Sequence, residues 1–178
     1  MGTIFPGGQG EIGIARSYAM SAIYVQEFDA FTNGHKDILE QAAHMFENVH
    51  WVMLVPMSKT MLYTWESRQE CYTRWLEKQE WRDRVNFQVV FEQLYARTFE
   101  GLKPDYYIHG FRSVEDFLKE DTIEAVNTRL VPSIKTIYLR TDKLELDNRA
   151  FKLYKEYKED LQQFVPYPIG ELEEYFPE

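Results

Sequence analysis

Along this chain the apolar positions alternate between two spacings. Near-continuous apolar or β-rich runs at residues 22–25, 49–55, 85–91, 106–108 and 134–139 have the length of strands, and the run at 49–55 suits one covered on both faces. Between them lie stretches of helical period: about 34–46 (Ile38, Leu39, Ala42, Ala43, Phe46), 65–78 behind an N-cap at Thr64, 94–102, and a longer one from Ser113 to about Leu130. Helices at 151–161 and 169–175 are predicted to close the chain. Strands alternating with helices require parallel crossovers, so the pattern predicts an α/β fold: a Rossmann-like, doubly wound, parallel five-stranded sheet with helices on both faces. Ligands of such sheets lie beyond the carboxyl ends of the strands. Three sequence-distant polar patches fall there: Thr32–His35, Ser58–Lys59 and Gly110–Arg112.

The first patch carries the most chemistry. Ala22-Ile23-Tyr24-Val25 is followed by Phe28-Asp29-Ala30-Phe31-Thr32-Asn33-Gly34-His35 and then by a helix. A strand, a tight turn and a helix start bring free backbone N–H groups and the positive end of a helix dipole to one spot, which suits an anion. Gly34 permits close approach of a ligand to the backbone, and His35 adds a side-chain donor. Local physics alone favours the plainer outcome, an ordinary strand–turn–helix with a capping histidine.

Composition narrows the class. The 178 residues suit one domain with a sizeable core, and 44% hydrophobic and 16% aromatic content exclude a disordered chain. A net charge of −9 excludes a general nucleic-acid surface, so any phosphate site is a local gathering of donors. Cys71 is the lone cysteine, which leaves no disulfide framework and no cysteine metal site; within a helical pattern it reads as packing. No stretch has the length of a membrane span, and the Gly-rich start lacks the regions of a signal peptide, so the chain reads as cytoplasmic.

Thr-x-Gly-His after an apolar strand, with Phe-Asp just upstream, resembles the first signature of the nucleotidylyltransferase superfamily. Within it the run is most similar to the phosphopantetheine adenylyltransferases, whose stretch reads approximately Ala-Ile-Tyr-Pro-Gly-Ser-Phe-Asp-Pro-Ile-Thr-Asn-Gly-His. The likeness continues in Ser58-Lys59, in Thr64-Trp65-Glu66-Ser67-Arg68, and in Ile108-His109-Gly110-Phe111-Arg112-Ser113-Val114-Glu115-Asp116-Phe117. It implies adenylyl transfer from ATP, with Mg²⁺, to a small phosphate acceptor, namely 4′-phosphopantetheine, giving dephospho-CoA and pyrophosphate. The implied roles are Thr32 and His35 on the nucleotide phosphates beside Gly34, Lys59 on the acceptor phosphate, Gly110 and Arg112 on ATP, and Glu120 on the nucleotide side. His109 stands where the family has an arginine for the acceptor phosphate. The Thr64–Arg68 stretch reads as structural. The resemblance also implies a homo-oligomer, a hexamer, without nucleic-acid or membrane partners.

Two registers fit the N-terminus. Residues 1–20 are an extension before a domain at 21–178, or else Thr3-Ile4-Phe5-Pro6-Gly7-Gly8 is the opening strand and turn, with an insertion over the site. The first needs no gap, at the cost of replacing the family's Pro-Gly-Ser by Val25-Gln26-Glu27. After the fifth strand the family's serine run, which cradles the triphosphate, is replaced by Arg140-Thr141-Asp142-Lys143-Leu144-Glu145-Leu146-Asp147-Asn148-Arg149. Carboxylates there and at Glu27 oppose phosphate binding, unless Arg140, Lys143 or Arg149 takes over the cradle. These departures define the rival reading, a catalytically inactive derivative of the fold acting as a binding or structural component.

Overall fold

The computed structural model describes residues 19–91, 95–143, 151 and 157–174. Five strands form one parallel sheet: β1 (Ser21–Gln26), β2 (Asn48–Val55), β3 (Val85–Phe91), β4 (Tyr106–Phe111) and β5 (Thr136–Arg140), in the order β3-β2-β1-β4-β5. The helices between them are α1 (Asn33–Met45), α2 (Trp65–Leu76), α3 (Tyr95–Leu102) and α4 (Val114–Leu130). The strand order reverses between β1 and β4, and in such sheets a crevice opens at that point.

Alternation along the central strands explains why helices cover both faces. Ala22 and Tyr24 of β1, with Trp51 and Met53 of β2, pack on the side of α1 and α2. Ile23 and Val25, with Val52 and Leu54, pack on the side of α3 and the turn after α4. Both strands are therefore apolar at nearly every position, as a strand buried on two faces must be. Gly110 on β4 has a packing reason of its own. A Cβ there would lie 2.9 Å from Ile38 Cγ1, so glycine lets α1 approach the sheet closely.

The central position belongs to Ser21–Gln26, while Thr3–Gly8, the other candidate for the opening strand, lies outside the described residues. The predicted helix at 151–161 is described at Phe151 and over α5 (Lys158–Leu161). The predicted helix at 169–175 is corrected: only a 3₁₀ turn forms, Ile169–Glu171, and Glu174 instead makes an antiparallel bridge with Tyr63. Gly170 weakens helical propensity within the span, and the backbone of Glu173 is instead bonded to the start of α2, with Leu172 buried as an anchor. Thr64 N–H donates to the Glu173 carbonyl at 2.8 Å, so this tail is strapped across the start of α2.

Candidate active site

The turn between β1 and α1 is built by hydrogen bonds that the sequence carries within itself. Thr32 is the N-cap of α1, and the N–H of His35 donates to Thr32 Oγ1 at 3.4 Å. The Thr32 N–H in turn donates to His35 Nδ1 at 3.1 Å, which completes a capping box with an imidazole in the place of the usual Glu or Gln. Nδ1 is thus an acceptor, and in the neutral ring the proton sits on Nε2 as a donor. The ring is fixed between Phe28, at 5.2 Å and edge-on, and Phe31, at 6.0 Å and stacked. The plain reading holds: His35 is a capping residue, and the cap fixes its Nδ1 on the Thr32 N–H.

The segment just before the cap is held from α2. Phe28 has φ 47°, a left-handed conformation that costs a bulky side chain on the order of 1–3 kcal/mol. The Tyr72 hydroxyl spans this turn, donating to the Phe28 carbonyl at 2.8 Å and accepting the Phe31 N–H at 2.9 Å. One turn earlier on α2, Arg68 is completely buried, and its Nη1 donates to the Glu27 carbonyl at 2.8 Å. Its Nε lies 4.0 Å from Asp29 Oδ1. Asp29 accepts the N–H groups of Leu62 at 2.5 Å and Tyr63 at 3.1 Å, which ties the loop after β2 to the loop after β1. Burial pushes the Asp29 carboxyl above its usual range, and the Arg68 guanidinium and the two N–H groups partly offset that rise.

Reading the sequence passed over Arg68 as part of a structural helix start. The signal was present in its spacing: Arg68, Cys71, Tyr72 and Trp75 recur at i, i+3, i+4 and i+7, a buried face that includes an arginine. A charge on such a face needs partners, and its partners are the signature loop.

The candidate acceptor residues are engaged with carboxylates. Lys59 Nζ lies 2.6 Å from Glu27 Oε2, so the lysine after β2 meets the residue that departs from the family's Pro-Gly-Ser. His109 is buried, and both its ring nitrogens meet carboxylates of α4: Nδ1 with Glu120 Oε2 at 2.5 Å and Nε2 with Glu124 Oε2 at 3.1 Å. Two such bonds require two protons among the ring and the two carboxyls. Tyr107 and Tyr138 pack on the ring at 4.5 and 5.4 Å, and Thr136 and Thr128 both donate to Glu124 Oε1. Glu120, expected on the nucleotide side, is thus bonded to His109. Arg112, just past β4, donates from Nε to Asp116 at 2.9 Å within the first turn of α4.

Near the start of α1 a cleft of about 240 Å³ is lined by Asn33, Lys36, Asp37, Glu40, Lys143 and Gln163, with Phe164. Lys143 is one of the three cations expected to replace the serine run. Arg140 lies at the end of β5, where its carbonyl accepts from Gln41 Nε2 at 3.0 Å, and Arg149, Glu145 and Asp147 lie outside the described residues. Among the described residues no group of three or more His, Cys, Asp or Glu is arranged to hold a metal ion, and no helix is long and apolar enough to cross a membrane. Burial pushes the Cys71 thiol up to about 12, which removes it as a nucleophile.

A parallel sheet that reverses between β1 and β4, with a Thr-x-Gly-His helix start at the reversal, defines a nucleotidylyltransferase-type α/β protein. The chain belongs to the cytidylyltransferase-like family, whose model matches residues 23–157. It is 32% identical to a phosphopantetheine adenylyltransferase of Lactobacillus acidophilus over 149 residues, covering 82% of this chain and 89% of that one. With a second phosphopantetheine adenylyltransferase, from Leptospira biflexa, it shares 32% identity over 68% of this chain and 73% of the other. Among solved structures, the Plasmodium falciparum nicotinic acid mononucleotide adenylyltransferase superposes with a TM-score of 0.56 at 12% identity, over 84% of this chain and 91% of that one, a likeness of fold.

Proposed function

We propose that this protein is a nucleotidyltransferase that transfers the adenylyl group of ATP to 4′-phosphopantetheine. An acceptor phosphate oxygen attacks the α-phosphorus in line, a new P–O bond forms, the bond to the β-phosphate oxygen breaks, and pyrophosphate leaves with dephospho-CoA as the other product. Such a reaction asks the protein for positioning and charge stabilisation and for no covalent nucleophile. The observation that carries the reading is the Thr32–His35 capping box, which holds an imidazole at the start of α1, the helix that follows β1 at the strand-order reversal. Relatives sharing 32% identity and named for this activity support the choice of acceptor.

In this reading the α1 N-terminus, Thr32 and His35 receive the nucleotide phosphates, and Lys36 and Lys143 lend charge to the cleft beside them. Gly34, Gly110 and Arg112 form the rest of the nucleotide side. The acceptor phosphate takes Lys59 from Glu27, since both anions compete for one ammonium. His109 serves the acceptor side through the α4 carboxylates, Glu120 among them, rather than by direct contact. A Mg²⁺ carried in by the triphosphate would keep its waters and substrate oxygens and need few protein ligands, and it would supply charge neutralisation on the leaving pyrophosphate. The lone buried cysteine suits the cytoplasm, the acidic body disfavours nucleic acid, and the resemblance supports a homo-oligomer, a hexamer.

Two measurements on the purified chain test this. Mg-ATP at a hundred times its dissociation constant stabilises a protein by about 2.7 kcal/mol, so a clear upward shift in melting temperature is expected. Pyrophosphate release should then depend on added 4′-phosphopantetheine. No thermal shift together with no pyrophosphate would overturn the reading in favour of an inactive derivative.

A further inference from the structure

The side of α4 that faces the sheet is largely polar. Of its 17 residues only Asn127 is fully buried. Its inner row is Asp116, Phe117, Glu120, Glu124 and Asn127, all partly or fully covered. Phe117 supplies an aromatic contact, edge-on to Phe111 at 5.6 Å and tilted on Tyr138 at 4.8 Å. Further along the row the helix meets β4 through buried His109, bonded from Nδ1 to Glu120 and from Nε2 to Glu124. An imidazole between two carboxylates is a fastening made by protons.

The number of protons decides whether the fastening is complete. A neutral ring has one N–H, so beside two carboxylates it donates along one line and sets a lone pair against an oxygen on the other. That state carries two negative charges. A second proton, on the ring or on a carboxyl, completes both bonds and leaves one negative charge. The groups around the cluster confine this proton to its three members. Tyr107 of β4 and Tyr138 of β5 face the two glutamates; burial and these carboxylates push Tyr138 up to about 12 and Tyr107 well above its usual range. From α3, Tyr95 faces Tyr107, Glu120 and Glu27, and burial pushes it up to about 12. Asp121 bonds to Tyr138, and one turn nearer the start of α4 Arg112 takes Asp116 at 2.9 Å. The phenols therefore stay neutral between about pH 5 and 8, the range in which an imidazole changes charge.

We infer that His109 is a positioning residue whose second proton clasps the first half of α4 onto β4 and so closes the acceptor side of the site. The anchors decide which half responds. Glu124 also accepts from Thr136 of β5, so the second half of α4 stays attached to the sheet. Glu120 is the more exposed carboxylate, 24% against 13%, and is the end that parts to water. When the proton passes to solvent, Nδ1 and the Glu120 carboxylate repel and the helix opens there. The closed state holds one proton more than the open state, so closure weakens as pH rises. An imidazole in water titrates near about pH 6.5, which makes the clasp complete below that value and progressively lost above it. The open cluster also shows an anionic acceptor one more negative charge. That coupling to the acceptor rests on the adenylyl-transfer reading; the clasp itself does not.

Glu120→Gln makes the second hydrogen permanent. Its amide donates to Nδ1 of a neutral ring while Nε2–H donates to Glu124, so both bonds form without a titrating proton. Amide hydrogen exchange of the full chain without substrate is the first measurement. In wild type, protection at 117–121 relative to β1 should fall by about tenfold between about pH 6 and 8.5, and in E120Q it should hold steady. The wild-type arm stands even if the variant does not fold. The KM for 4′-phosphopantetheine, read by pyrophosphate release, should rise with pH several-fold more in wild type than in E120Q. The KM for ATP should follow one course in both, a comparison that cancels titration of the substrates. Wild-type protection that is flat with pH, an E120Q that loosens as wild type does, or acceptor KM values that run parallel in two active proteins would each overturn the inference. A clasp that loosens with pH in a chain releasing no pyrophosphate would sustain the clasp and overturn the adenylyl-transfer reading alone.

Discussion

The two groups of candidate residues, those proposed for the nucleotide and those proposed for the acceptor, are organised by opposite principles. On the nucleotide side the side chains are closed onto backbone: Thr32 and His35 satisfy the start of α1, and Tyr72 and Arg68 hold carbonyl and amide groups of residues 27–31. On the acceptor side they are closed onto carboxylates, Lys59 onto Glu27 and His109 onto Glu120 and Glu124. Backbone geometry changes little when an anion arrives, whereas a carboxylate must be displaced by it. Under the proposed function the first group would meet a phosphate with its backbone already set, and the second would exchange one anion for another. The lesson is that two cation-bearing patches at one sheet edge need not present their cations in the same state.

Arg68 joins the two sides, and removing it should have the largest effect. Arg68→Ala leaves Asp29 buried without its cation and frees the Glu27 carbonyl, so chemical denaturation should show a loss of about 3–5 kcal/mol. A loss below 1 kcal/mol would detach the signature loop from α2. His35→Ala sharpens the contrast from the nucleotide side. Turnover should fall by about 10²–10³-fold, as for loss of one donor aimed at developing charge, with pyrophosphate release as the readout. Stability should change by only about 1 kcal/mol, the scale of a helix cap. Unchanged turnover would leave His35 as a cap alone.

His109→Ala probes the acceptor side. Glu120 and Glu124 would lose their shared partner beneath α4, at a cost of about 1–3 kcal/mol in denaturation. The KM for ATP should change less than that for the acceptor. Equal changes in both would erase the division into sides. The smallest effect is expected of Glu27→Gln. Its pair with a half-exposed Lys59 contributes under about 1 kcal/mol to stability, so the melting temperature should barely move. The KM for the acceptor should fall several-fold, because the competing carboxylate is gone. A higher KM would mean that Glu27 assists the acceptor.

How much of this could be read from the chain differs by region. The five strands and α1 to α4 were legible because a doubly buried strand and an amphipathic helix leave different periods. Thr64, Thr32 and Ser113 also stand where N-caps should. The Thr32–His35 turn was legible because its cap is local, the two residues being three apart, whereas its braces from Arg68 and Tyr72 lie 41 or more positions away and were not. The acceptor side was not, since Glu27 and Lys59 are separated by 32 positions and His109 and Glu124 by 15. Such a pairing is decided by where crossovers deliver each loop. The tail was misread for another reason. Leu172 is buried in the core cluster that includes α2, a tertiary contact that imitates helical spacing in a short segment carrying Gly170.

The Tyr72 brace sets a clock on the signature loop. The Phe31 amide gives its proton to a phenol on another element, so deuterium can reach that amide only when loop and helix part. Its exchange rate in heavy water therefore reports the frequency with which α2 lets go of the loop, while the amides of β1, held by two neighbouring strands, report opening of the sheet. A Phe31 amide exchanging at the pace of α2, and slowing when nucleotide is added, would make one backbone proton a gauge of how often the site is assembled.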